Sequence, residues 1–186
     1  MQQNVYDLTL VNSLQPQRNA IVFLARPKVP SKSLQSSFLN KYTEQLKGLS
    51  TEQKEMVFRC AFAETYQCVV GMPGSGKTTA LAALVQILHL NGRRVFLSAK
   101  THQALDNLLL MLHDKVPVMR VANSKESVNE KLHRITHTRD RYSSVNDIRK
   151  AWKEHNIFAA ICKDFKHSLL PRGFDYCVID EASQVQ

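Results

Sequence analysis

Cysteine is scarce and unsuited by spacing to chemistry. Four occur in 186 residues, at positions 60, 68, 162 and 177, and no two form C-x-x-C, so neither a zinc knuckle nor a dithiol redox motif is present. Cys68 and Cys177 fall in apolar runs that read as buried strands, where a thiol serves as a small apolar side chain. Long hydrophobic runs are missing too: none approaches the roughly 18 residues of a membrane-spanning helix, so no membrane partner is expected. Residues 1 to 7 are polar and lack the basic-then-apolar order of a secretory signal, which leads to the expectation of an intracellular protein. There is no internal repeat and no low-complexity tract. Acidic residues are the minority, 16 against 25 Lys and Arg, for a net charge of +9. That balance favours a polyanionic partner, nucleic acid first. The 44% hydrophobic content is enough for a packed core.

The most informative run is Gly71-Met72-Pro73-Gly74-Ser75-Gly76-Lys77-Thr78, followed by Thr79. It is a complete G-x-x-x-x-G-K-T loop in a fitting context. Tyr66 to Val70 before it is apolar and β-branched and reads as a buried strand. Thr79 to His89 after it carries Leu81, Leu84, Val85 and Leu88 at helical spacing. The glycines let several backbone N–H groups turn toward one polyphosphate, and the helix N-terminus adds partial positive charge. Lys77 suits the β- and γ-phosphates, and the Thr78 hydroxyl suits Mg²⁺.

Farther along, Arg94 to Ser98 reads as a strand, Thr101 to Leu112 as a helix, Val116 to Val121 as a short strand and Ile157 to Cys162 as another. Tyr176 to Ile179 is the last strand and runs into Asp180-Glu181. Strands alternating with helices predict a parallel sheet flanked by helices, an α/β fold. Two carboxylates at a strand's carboxyl end lie where such sheets bind ligands. Asp180 suits the metal and Glu181 the orientation of an attacking water. Residues 123–156 are polar with widely spaced apolar positions, and predict an insertion of one or two loosely packed helices. Residues 1–47 differ from the rest and read as an N-terminal remnant or linker, with one candidate strand at 20–24 and a basic connection at 26–33.

Four segments, taken in order, resemble the superfamily 1 helicases, in the branch that holds the nonsense-mediated-decay helicases and the replication helicase/nucleases. Leu49-Ser-Thr-Glu-Gln53 is similar to the glutamine motif. Gly71 to Thr78 is motif I. Thr101-His102-Gln-Ala-Leu-Asp106-Asn107-Leu resembles motif Ia, and Asp180-Glu-Ala-Ser-Gln184 motif II. The longer matches around residues 69–74 and 105–109 look most like the replication helicase/nucleases. The resemblance covers residues 48–186 and implies a RecA-like P-loop NTPase lobe that stops after the Walker B strand.

The resemblance implies roles. Gln53 would read adenine, Gln184 would sense the γ-phosphate, and Thr101, His102 and Asn107 would meet single-stranded nucleic acid. Plainer alternatives stand beside these: Gln53 as an ordinary first-turn residue, Thr101 as a helix cap, and His102, Asp106 and Asn107 as ties of the loop to nearby backbone. No N-K-x-D run supports a guanine-specific site. Two departures from the family touch the strand track. Ala159-Ala160-Ile161-Cys162 stands where the family has A-T-T-C, and Arg120-Val121-Ala122 where it often has R-L-G.

Motif III, the second motor lobe with its arginine finger and the nuclease domain with its iron–sulfur cluster do not follow or precede these motifs in the chain. The expectation is a piece of the first lobe, or a truncated gene product, with ATP and Mg²⁺ as ligands and no iron–sulfur cluster. Its parent would be an ATP-dependent DNA helicase of the replication/repair helicase/nuclease type, moving 5′ to 3′ on single-stranded DNA, and nuclear if eukaryotic, otherwise cytoplasmic. The alternatives are an RNA helicase of the decay or splicing branch, or an inactive binding fragment. An arginine finger is worth about 10³ to 10⁵ in turnover, so the chain alone is expected to be inactive or very slow.

Overall fold

The structure is a computed structural model and describes residues 32–182. Two compact units divide between Ser75 and Gly76, inside the Gly-rich loop.

In the first unit, helix α1 (Lys32–Lys41) and helix α2 (Thr51–Ala61) pack together. Phe38 meets Phe58 and Phe62 edge to face, and Tyr42 tilts against Phe38. Gln35 hydrogen-bonds the Glu55 carboxylate. The described part of the expected linker, residues 32–47, is thus folded, with Phe38, Tyr42 and Leu46 buried. Residues 1–31, including the candidate strand at 20–24, lie outside the described residues. Ser50 caps α2 and forms a capping box with Gln53.

Residues 66–70 correct the sequence reading. They form no strand, and Val70 is 98% exposed. A strand exists by pairing its backbone with a neighbour, and this run makes no ladder. Its β-branched composition is a propensity that pairing alone would realise.

The second unit opens with helix α3 (Lys77–Leu90) and strand β1 (Val95–Ala99). Helix α4 (His102–Leu110) and strand β2 (Val118–Val121) come next. Strand β3 (Thr136–His137), helix α5 (Val145–Glu154), strand β4 (Ile157–Ala159) and strand β5 (Tyr176–Asp180) complete it. The sheet has the order β3-β2-β4-β1-β5, and every pairing is parallel. All strand carboxyl ends therefore lie along one edge of the sheet.

Alternation along each strand sorts the two faces. Phe96, Met119, Val121, Phe158 and Ala160 bury themselves with Ile148 and Ala151 of α5 and with Leu169 and Leu170. Trp152 anchors that face by donating Nε1–H to the Leu169 carbonyl at 2.7 Å. On the other face α3 and α4 pack on β1, which is buried along its whole length.

Residues 123–156 are more tightly built than the expected loose helices. They supply β3 and α5, and Leu132, Thr136 and His137 are buried. Cys177 also departs from expectation. It lies on β5, but with Ile179 it points away from the buried side that takes Val178 and Asp180, and it is exposed. Cys68 is exposed as well. Among the described residues no helix is long and apolar enough to cross a membrane.

Candidate functional site

Gly74 and Gly76 adopt φ of +78° and +75°, the left-handed region that side chains resist. Within the loop the Ser75 N–H donates to the Met72 carbonyl at 3.2 Å. Gly76 is the N-cap of α3, and no side chain caps that helix start. The start of α3 therefore carries its partial positive charge with no side-chain cap upon it.

In the second unit α3 and β5 bring together residues far apart in sequence. The Thr78 hydroxyl donates to Asp180 Oδ2 at 3.3 Å, and Asp180 is 7% exposed. Its other oxygen, Oδ1, accepts the Glu181 N–H at 3.0 Å. Glu181 is exposed and takes φ of +52°, an uncommon conformation for a residue with a side chain. Among the described residues no three His, Cys, Asp or Glu side chains gather to hold a metal. Mg²⁺ beside a polyphosphate needs fewer: one or two protein oxygens, with phosphate and water completing the octahedron. A hydroxyl in the first turn of α3 and a buried carboxylate at the end of β5 fit that donor set.

In the first unit the Gln53 amide has two partners. Oε1 accepts the Ser50 N–H at 2.8 Å, and Nε2 donates to the Ser75 carbonyl at 2.9 Å. These bonds leave one N–H and one lone pair for a further partner. Gln53 is thus a first-turn capping residue that is also tied to the Gly-rich loop. Gln184 lies outside the described residues.

At the carboxyl end of β1, Thr101 caps α4 by accepting the Ala104 N–H at 3.1 Å. His102 and Asp106, one turn apart on α4, meet Arg120 from β2. Arg120 is 0% exposed. It donates to His102 Nδ1 at 2.9 Å, to the Val121 carbonyl at 2.8 Å and to Asp106 Oδ1 at 3.4 Å. Asp106 Oδ2 accepts the Asn129 N–H at 2.8 Å. Burial, then the Arg120 charge, lowers the His102 pKa below its ordinary value. Asn107 is exposed on another face of α4 and takes no part in this group.

Arg120 escaped the sequence reading. Its signal was a lone cation in an apolar strand, with a His–Asp pair at i, i+4 on the preceding helix. Phe165 escaped it too. It follows β4, is 60% exposed, and has Lys166 Nζ at 5.4 Å from its ring centroid. Lys163, exposed beside it, lies within electrostatic reach of His102. Ala160 and Ile161, where the resembled family has threonines, are buried. The Ser98 hydroxyl holds that turn through the Ala160 carbonyl at 2.8 Å.

The AAA domain family matches residues 48–186. The chain is 38% identical over 146 residues to the DNA replication ATP-dependent helicase/nuclease DNA2 of Mus musculus, covering 75% of this chain and 14% of that protein. The Saccharomyces cerevisiae protein of that name is 34% identical over 74% of this chain and 9% of its own length. The Schizosaccharomyces pombe one is 30% identical over 95% of this chain and 13% of its own length. The chain thus spans a small part of the curated relatives it matches. These similarities bear out the resemblance to a superfamily 1 helicase first lobe, and the parallel sheet bears out the α/β class.

Proposed function

Since the chain belongs to the AAA domain family, we propose that it is the ATP-binding first motor lobe of an ATP-dependent DNA helicase of the replication and repair helicase/nuclease type. The observation that carries this reading is the Thr78–Asp180 contact at 3.3 Å. It joins the loop that holds phosphate to the strand that ends in carboxylates.

In this reading Gly71 to Thr79 wraps the phosphates, and Lys77 neutralises the β- and γ-oxygens. Thr78 and Asp180 would hold Mg²⁺, which would supply positive charge to offset that of the phosphates. Glu181 orients the attacking water and takes its proton. Gln53 turns its remaining N–H and lone pair to adenine, and Gln184 reads the γ-phosphate. The DNA replication role in the relatives' name supports the DNA assignment, and the net charge of +9 supports a polyanionic track.

Thr101, His102 and Asn107 begin that track at the carboxyl ends of the strands. Lys163, Phe165 and Lys166 extend it with charge and an aromatic face, the pairing that single strands favour. In the parent enzyme ATP turnover would drive 5′ to 3′ movement on single-stranded DNA, with a nuclear place in a eukaryote. The test is affinity for single-stranded DNA and RNA of one sequence at one stated salt concentration. Tighter binding of DNA is expected, and a strong RNA preference overturns the DNA assignment.

A further inference from the structure

An arginine side chain has donors and no acceptor. Arg120 lies 2.9 Å from His102 Nδ1, so that nitrogen must present its lone pair. The imidazole proton then sits on Nε2, and protonating Nδ1 as well would break the contact and set two cations side by side. Asp106 holds Arg120 in place from the same helix, one turn from His102, and is itself fixed by the Asn129 N–H. Among the described residues nothing bonds His102 Nε2, and the ring is only partly buried.

We infer that Arg120 and Asp106 lock His102 as the neutral Nε2–H tautomer, making it a permanent hydrogen-bond donor to an acceptor-only partner, the phosphodiester oxygens of a single nucleic-acid strand. The inference rests on the strand-binding reading above and deepens it. It assigns Arg120 the part of a positioning residue, one that acts through His102 without touching the strand. A buried guanidinium earns a place in an apolar strand when it aims a group that would otherwise rotate, change tautomer or titrate.

The charged groups facing the ring are Arg120 and Lys163, which disfavour its protonation, and Asp106 and Asp164, which favour it. Burial and Arg120 outweigh the two carboxylates, so His102 stays neutral below the usual histidine range. Contact with phosphate is therefore independent of pH through neutrality. A conventional cationic histidine would instead bind more tightly as pH falls.

The test is nitrogen-detected NMR of the His102 ring in the full chain, with and without a single-stranded oligonucleotide. The expected result is an unprotonated Nδ1 and a protonated Nε2 at pH 7, with the Nε2–H signal shifting on binding. An Nδ1–H tautomer, an imidazolium at pH 7, or an Nε2–H unmoved by bound oligonucleotide overturns the inference. If no oligonucleotide binds at any pH, the strand-binding reading falls, and the ring's tautomer still reports on Arg120 separately.

Two kinds of variant add to this. His102→Gln, which can keep an N–H near the Nε2 position, should bind within about threefold of the native chain, whereas His102→Ala should lose about tenfold. Equal losses in both count against the donor role. Arg120→Gln should make affinity rise as pH falls through about 6.5, and a flat profile in a folded Arg120→Gln chain contradicts the lock. Should that variant not fold, the NMR result and the His102 pair decide.

Discussion

The Thr78 hydroxyl stands 3.3 Å from Asp180 Oδ2, across 102 residues of chain. Each comes from an element whose position follows from the sheet: α3 starts, and β5 ends, at the carboxyl edge. If the pair holds Mg²⁺, Asp180→Asn should weaken binding of Mg²⁺·ATP by about tenfold or more and leave metal-free ATP binding nearly unchanged. Titrations with and without Mg²⁺ check this. An equal loss in both would make Asp180 a structural partner of Thr78 alone.

Glu181 is exposed next to that pair, with its backbone in the left-handed region at φ +52°. Glu181→Gln should keep nucleotide affinity while lowering any turnover by about 10²-fold or more, the usual worth of a general base. Loss of binding would instead make Glu181 structural.

Phe165 offers a ring to solvent with Lys166 over it, and Lys163 stands close by in sequence. Phe165→Ala should weaken single-stranded DNA binding by about tenfold, the scale of one stacked base. Lys163→Ala should weaken it evenly across sequences and reduce the salt slope by about one phosphate contact. Salt-dependent binding curves separate the two effects. No change in either variant removes this loop from the track.

His137 is buried in the second unit, hydrogen-bonded to Tyr142 and edge-on to His155. Burial, with Arg141 and His155 adding to it, pushes its pKa from 6.5 to about 4. The unfolded chain takes up this proton near pH 6.5 and the folded chain only near 4. The contribution is therefore fully present above about 6.5 and is lost as pH falls toward 4, by roughly 3 kcal/mol over that window. Denaturation at pH 7, 6, 5 and 4.5, with NMR titration of the ring, checks the slope. A His137 that titrates near 6.5 contradicts it.

The Gly-rich turn and the strand ending in carboxylates were legible because their signals are local. Glycines at 74 and 76, Lys77 opening an apolar helix, and four apolar residues running into Asp180 each specify a conformation within a few residues. The errors arose where structure depends on a distant partner. Among the described residues Tyr66 to Val70 has strand composition but pairs with no strand, and Cys177 lies on β5 with its side chain exposed. Leu132, Thr136 and His137 belong to a stretch whose polarity hid its place beside β2 in the sheet. Arg120 was visible only as a break in an apolar run. Its partners emerge only in the fold, where the guanidinium reaches His102 and Asp106 of α4.

The central claim is that Gly71 to Thr78 binds a nucleoside triphosphate. Its most direct test is equilibrium binding of Mg²⁺·ATP to the full chain, native against Lys77→Ala. The account predicts saturable binding that the substitution weakens by about tenfold or more, the scale of a lost charge-assisted contact. No binding by the native chain, or equal binding by both, would contradict it.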